Sequence, residues 1–129
     1  AEIRQSLAQL QPGFGPPIHF IPWRGNFSRG IFASLYTDTN LSQDELFQLY
    51  EGYYADHPFV QLSRQNPSLK AAVNTNQCIL HLEKHEDKVL IISIIDNLLK
   101  GAAGQAVQNM NLALGLEEEA GLRLKAIGY

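Results

Sequence analysis

Apolar positions fall into helical stripes, extended runs and one alternating segment. Ile3, Leu7 and Leu10 recur at i, i+4 and i+7, and the breakers Gln11-Pro12-Gly13 and Gly15-Pro16-Pro17 follow, so the chain opens with the last turns of a helix. Residues 18–23 and 31–37 are rich in β-branched and aromatic side chains and are separated by a polar loop, Arg24-Gly25-Asn26-Phe27-Ser28-Arg29-Gly30, with a glycine near each end. This pattern predicts two strands and their connection. Ser42-Gln43-Asp44-Glu45 has the form of a capping box, Leu41 and Leu46 stand where a hydrophobic staple would be, and Leu46, Leu49, Tyr50 and Tyr53 continue a helical stripe to about Asp56.

Phe59-Val60-Gln61-Leu62 reads as a short strand, with a polar loop after it through Asn66-Pro67-Ser68. From residue 78 to 84 apolar side chains alternate (Cys78, Leu80, Leu82), residues 89–95 are almost continuously apolar, and the stretch between is short and charged. The two segments predict a hairpin whose second strand is covered on both faces. Beyond it, Asp96-Asn97-Leu98-Leu99-Lys100 leads into Gly101-Ala102-Ala103-Gly104, and Ala103, Ala106/Val107, Met110 and Ala113/Leu114 trace the apolar face of a helix that ends at Gly115. About four or five strands joined by hairpins, with two main helices not inserted between each pair, give an α+β class.

Composition narrows the possibilities. A chain of 129 residues suits one domain spanning 1–129, and 10 Lys+Arg against 13 Asp+Glu give a net charge of −3. No two basic residues are adjacent, so the electrostatic footprint of a nucleic-acid binder is missing. No apolar run approaches the roughly 20 residues of a membrane span, and a single cysteine makes no internal disulfide. The expectation is a reduced, soluble, cytoplasmic domain without a signal peptide. Its first residues, Ala1-Glu2-Ile3-Arg4, read as if taken from a longer chain.

Few residues stand out chemically. Cys78 lies in an alternating strand, where a thiol behaves as a small buried hydrophobe and not as an activated nucleophile. His81 and His85, four apart on a strand and its turn, lack the shared helical face of a metal-ligand pair, and no Cys/His pair has zinc spacing. Glu117-Glu118-Glu119 reads as a solvated face or a helix start. Arg24 and Arg29 stand in a glycine-containing loop from which a guanidinium could hold a carboxylate or phosphate, although a solvated or structurally paired arginine fits as well. Gly101 and Gly104 open a helix and allow close approach of a ligand or of another backbone. The full Gly-x-Gly-x-x-Gly dinucleotide fingerprint is absent.

The run from Asp96-Asn97-Leu98-Leu99-Lys100-Gly101-Ala102-Ala103-Gly104 through Gln105-Ala106-Val107-Gln108-Asn109-Met110-Asn111 closely resembles the C-terminal motif of the N-acetyl-γ-glutamyl-phosphate reductase family. Gly25-Asn26-Phe27-Ser28-Arg29-Gly30-Ile31 is similar to the family's segment ending in Arg-Gly, and Leu114-Gly115-Leu116 with Gly121-Leu122 fits its C-terminus. The resemblance implies a largely antiparallel sheet with helices, similar to the C-terminal domain of the glyceraldehyde-3-phosphate and aspartate-semialdehyde dehydrogenases, serving substrate binding and homo-oligomer contacts. It implies an NADPH-dependent reduction of a small-molecule acyl phosphate in arginine biosynthesis, in which a cysteine attacks the acyl carbon, phosphate leaves and hydride is delivered to the thioester. The family's Gly-Cys-Tyr-Pro-Thr-like segment does not occur here, and its histidine base precedes the Glu-Ile that Glu2-Ile3 matches. The expectation is therefore that these residues hold no catalytic pair and no metal ligand, and that the nucleotide-binding domain lies outside them. By the same resemblance Asn97 would lie near the nicotinamide carboxamide, Gly101 and Gly104 would admit the cofactor, and Arg29 would meet an anionic group of the substrate. Pro22-Trp23 stands where the family commonly has Pro-His. An enzyme on a related acyl phosphate would share these motifs, and a free-standing binding or dimerisation module with this fold is the alternative of another class.

Overall fold

The computed structural model describes residues 2–126. In chain order its elements are α1 (Glu2–Leu10), β1 (Ile31–Asp38), α2 (Gln43–Tyr53), β2 (Val60–Ser63), β3 (Cys78–His85), β4 (Lys88–Ile95) and α3 (Gly104–Ala113). A 3-10 turn occupies Leu69–Ala71, and a stretch of π-helix, Leu99–Ala103, runs directly into α3.

The alternation on β3 and the continuous apolar run of β4 build the centre. The two strands pair antiparallel from Cys78↔Ile95 to His85↔Lys88, and Glu86, at φ 49°, takes the left-handed conformation in the turn between them. The sheet order β1-β4-β3-β2 makes β4 an interior strand. Its neighbour β1 is antiparallel to it, whereas β2 runs parallel to β3, so the sheet is mixed although largely antiparallel. The α+β class stands.

Both faces of the hairpin are covered. On one, Leu46 and Phe47 of α2 pack with Leu82 and Val89, flanked by Tyr50, Leu62 and Ile91. On the other, Ala72 after the 3-10 turn packs with Ile79, Ile92 and Ile94. The capping box forms as the sequence prescribes, with Glu45 N–H donating to the Ser42 hydroxyl and the Glu45 carboxylate accepting from the Ser42 N–H. Past the end of β2, Gln43 stands in for a neighbouring strand: its amide donates to Leu82 O at 2.9 Å and accepts from Lys84 N–H at 2.8 Å. An otherwise open strand edge is closed in this way.

Two expectations are corrected. Residues 18–23 form no strand. Pro17 and Pro22 supply no N–H donor, the outer edge of β1 stays unpaired among the described residues, and Phe20, Ile21 and Trp23 remain 73%, 68% and 88% exposed. The helix after Gly104 also turns its face the other way. Its buried residues are Gly104, Gln108 and Asn111, while Met110 and Leu114 point outward. Polar side chains are stable inside because each has partners. Gln108 meets Asn76, Lys100 and Glu118, and the Asn111 amide donates to Glu118 O and Ala120 O.

Candidate functional site

At the end of β4 three loops meet on one side chain. Asp96 is fully buried, and its carboxylate collects four donors from three segments. Oδ1 accepts from the N–H groups of Leu98 (2.8 Å) and Leu99 (2.9 Å), an arrangement that nucleates the π-helical turn. Oδ2 accepts from Asn74 N–H at 2.7 Å and from the Arg29 guanidinium at 2.5 Å. Burial pushes this carboxyl up, but the donors from Asn74, Leu99, Leu98 and Arg29 outweigh it, so it sits below the usual carboxylate range.

The next residue makes a second link to the same loop. Asn97 Oδ1 accepts from Gly30 N–H at 2.7 Å. Gly30 is at φ +110°, and a β-carbon there would stand 2.7 Å from the Leu69 side chain, so both conformation and space require glycine. With its oxygen engaged, Asn97 presents its NH2 group, which has no partner among the described residues.

The glycines divide in role. In the π-helical turn Gly101 N–H donates to Asp96 O at 2.9 Å, and Ala103 N–H to Leu98 O at 2.9 Å. A side chain at Gly101 would meet nothing closer than Asp96 O at 3.4 Å, and the residue is exposed. Gly104 is buried, and a β-carbon on it would lie 2.3 Å from Asn76 Oδ1 and 2.9 Å from Leu99 O. Its lack of a side chain is used by the fold itself. A π-turn at the head of a helix is a feature frequent at functional sites.

Behind the glycines lies a polar network that composition and periodicity did not reveal. Asn76, 1% exposed, donates to Gln108 Oε1, which also accepts from Lys100 Nζ at 2.7 Å, while Gln108 Nε2 donates to Glu118. Lys100 sits 5.4 Å above the Phe59 ring, and burial pulls its ammonium below the usual lysine range against smaller opposing effects of Cys78 and Glu118. The expected solvated face at Glu117-Glu118-Glu119 is thus partly structural. The sequence signal for this network was the i, i+4 spacing of Lys100, Gly104 and Gln108.

The other candidates lie apart or serve structure. Arg29 is brought to the Asn97 loop, with one arm on Asp96 and its buried Nε without a partner, and Arg24 is exposed. Cys78 opens β3, half-buried, with Sγ 3.5 Å from Ser93 Oγ. His81 is buried with Nδ1 2.9 Å from Ser63 O. Contrary to the sequence reading, His81 and His85 share a face, as every second residue of a strand must, and both approach Glu83, at 3.9 and 3.1 Å. Among the described residues no three metal-capable side chains converge on a site that would hold an ion, and no helix is long and apolar enough to cross a membrane.

The chain is similar to named proteins over its whole length. It is 60% identical over 129 residues to N-acetyl-γ-glutamyl-phosphate reductase of Parabacteroides distasonis, covering 100% of this chain and 40% of that protein. With the reductase of the same name from Bacteroides fragilis it shares 60% over 128 residues (99% and 40%), and with that of Azobacteroides pseudotrichonymphae 63% over 128 residues (99% and 39%). The chain therefore spans about two fifths of the length of the curated relatives it matches. The family model described as semialdehyde dehydrogenase, dimerisation domain, matches residues 1–97, and the chain belongs to that family.

Proposed function

We propose that this chain is the C-terminal domain of an N-acetyl-γ-glutamyl-phosphate reductase, which converts the acyl phosphate to N-acetylglutamate semialdehyde with NADPH. The observation that carries the reading is identity of about 60% across all of the chain to proteins of that name, the Asp96 to Asn111 motif included. The nucleophilic cysteine and the histidine base are assigned to residues beyond these 129, and Cys78, in its strand and beside Ser93, takes no catalytic role.

The residues present fit a nicotinamide cofactor. Asn97, its oxygen turned to Gly30, has its NH2 group without a partner among the described residues, a donor that suits the carbonyl oxygen of a carboxamide. Gly101 leaves the adjacent surface open to a flat ring, and Gly104 serves indirectly by letting α3 seat closely. Bound NADPH supplies the hydride. Arg29, tied to Asp96 by one arm and with its side chain 32% exposed, is the group for an anionic part of the substrate. The exposed apolar residues of the 18–23 segment and of β1, among them Trp23, Phe32 and Tyr36, suit a homo-oligomer, in keeping with the family's description.

The full-length protein is tested for NADPH oxidation that depends on N-acetyl-γ-glutamyl phosphate. Turnover supports the assignment. A folded full-length protein that self-associates but neither binds NADPH nor turns over refutes it in favour of a dimerisation module.

A further inference from the structure

We infer that Asp96 is a positioning residue for the cofactor end of the site, acting through Asn97. The inference rests on the functional reading above and adds to it a residue that touches no ligand. Three observations carry it. The carboxylate is wholly buried, so it cannot meet a ligand directly. Its four donors come from the loop before β1, the loop before β3 and the π-helical turn, which the strand register brings to this end of β4 and which this one carboxylate ties together. And two links run side by side between the same pairs of neighbours, Arg29 to Asp96 and Gly30 to Asn97.

The consequence is geometric. The amide plane of Asn97 is set by the hydrogen bond from Gly30 N–H, and Gly30 is held in register by the adjacent Arg29 on Asp96. The same carboxylate fixes Leu98 and Leu99, and with them the turn that presents Gly101. Asp96→Asn keeps the acceptor toward Leu98 and Leu99, but removes the charge and faces an NH2 group toward Asn74 N–H and Arg29, where donor opposes donor. Misplacement by a fraction of an ångström at a ligand-orienting amide is enough to be read in binding.

The experiment is a double-mutant cycle on equilibrium NADPH affinity in the full-length protein, measured without acyl phosphate so that any role of Arg29 toward the substrate does not enter. Asp96→Asn is expected to weaken binding on the order of 10-fold or more. In an Asn97→Ala background the same change is expected to have little further effect, because the group through which it acts is gone. Arg29→Gln supplies a milder version should Asp96→Asn fail to fold, and Arg29→Lys, which keeps a cation on Asp96, is expected to recover most of the affinity. Additive effects, with Asp96→Asn or Arg29→Gln weakening binding equally whether or not Asn97 is present, overturn the inference, as does wild-type affinity in a folded Asp96→Asn protein. Failure of the wild-type protein to bind NADPH overturns the functional reading and this inference with it.

Discussion

Residues 18–23 and residues 89–95 look alike in the sequence, both apolar and rich in β-branched or aromatic side chains, yet they end in opposite states. The second becomes β4, an interior strand with Ile92 3% and Ile94 0% exposed. The first crosses the surface as an arm with Trp23 88% exposed. What separates them is partners. β4 has β1 and β3 on its two sides and apolar cover on both faces, whereas the arm carries Pro22, follows Pro16 and Pro17, and faces nothing in the described chain that would cover it. A hydrophobic pattern thus marks surface to be buried without saying by what, and in a domain of a dimerisation family the cover can belong to another copy.

The contrast is sharpest in substitutions, beginning with the largest. Gly104→Ala places a methyl group against Asn76 Oδ1 and the Leu99 carbonyl, so a loss of more than about 3 kcal/mol, or failure to fold, is expected by denaturant unfolding. Gly101→Ala, whose added methyl would make only ordinary van der Waals contacts at 3.4–3.9 Å, should leave stability nearly unchanged. In the core beneath β4, Leu82→Ala should cost about 2–5 kcal/mol.

Asp96 adds a pH dependence of known sign. Its folded carboxyl lies below the usual range, so the stability it contributes is present above about pH 4 and is lost as pH falls through the folded value. Unfolding curves of wild type and Asp96→Asn should therefore differ at neutral pH and converge in acid. Trp23→Ala is the smallest expected effect on unfolding, within about 0.5 kcal/mol, but sedimentation should show weaker self-association. Loss of stability comparable to that of Leu82→Ala would mean that the arm packs as part of the domain.

Much of this was legible from residues alone, for reasons that also mark the limits. The Ser42 capping box, the hairpin of β3 and β4 and the turn at Gly101 depend on neighbours within a few residues, so local chemistry specifies them. The parallel pairing of β2 with β3 and the substitute strand formed by Gln43 depend on contacts 18 and 39 residues apart, about which periodicity is silent. The buried face of α3 was misread because apolar residues were taken as inward, when Gln108 and Asn111 are inward and satisfied. At the site, Asn97, Gly101, Gly104 and Arg29 were visible as residue types. That Asn97 accepts from Gly30 and that Asp96 gathers three loops could not be read, since the Gly30–Asn97 and Arg29–Asp96 links span 67 residues and the Asn74–Asp96 link 22.

The central claim is that Asn97 has two separate duties, its oxygen holding Gly30 and its NH2 group meeting the cofactor. Asn97→Asp keeps the first and removes the second, whereas Asn97→Ala removes both. NADPH affinity and thermal stability measured on the two full-length variants test this directly. Asn97→Asp is expected to lose about 5- to 150-fold in NADPH affinity, the equivalent of about 1–3 kcal/mol, while its thermal stability stays closer to wild type than that of Asn97→Ala. Wild-type NADPH affinity in Asn97→Asp would contradict the claim.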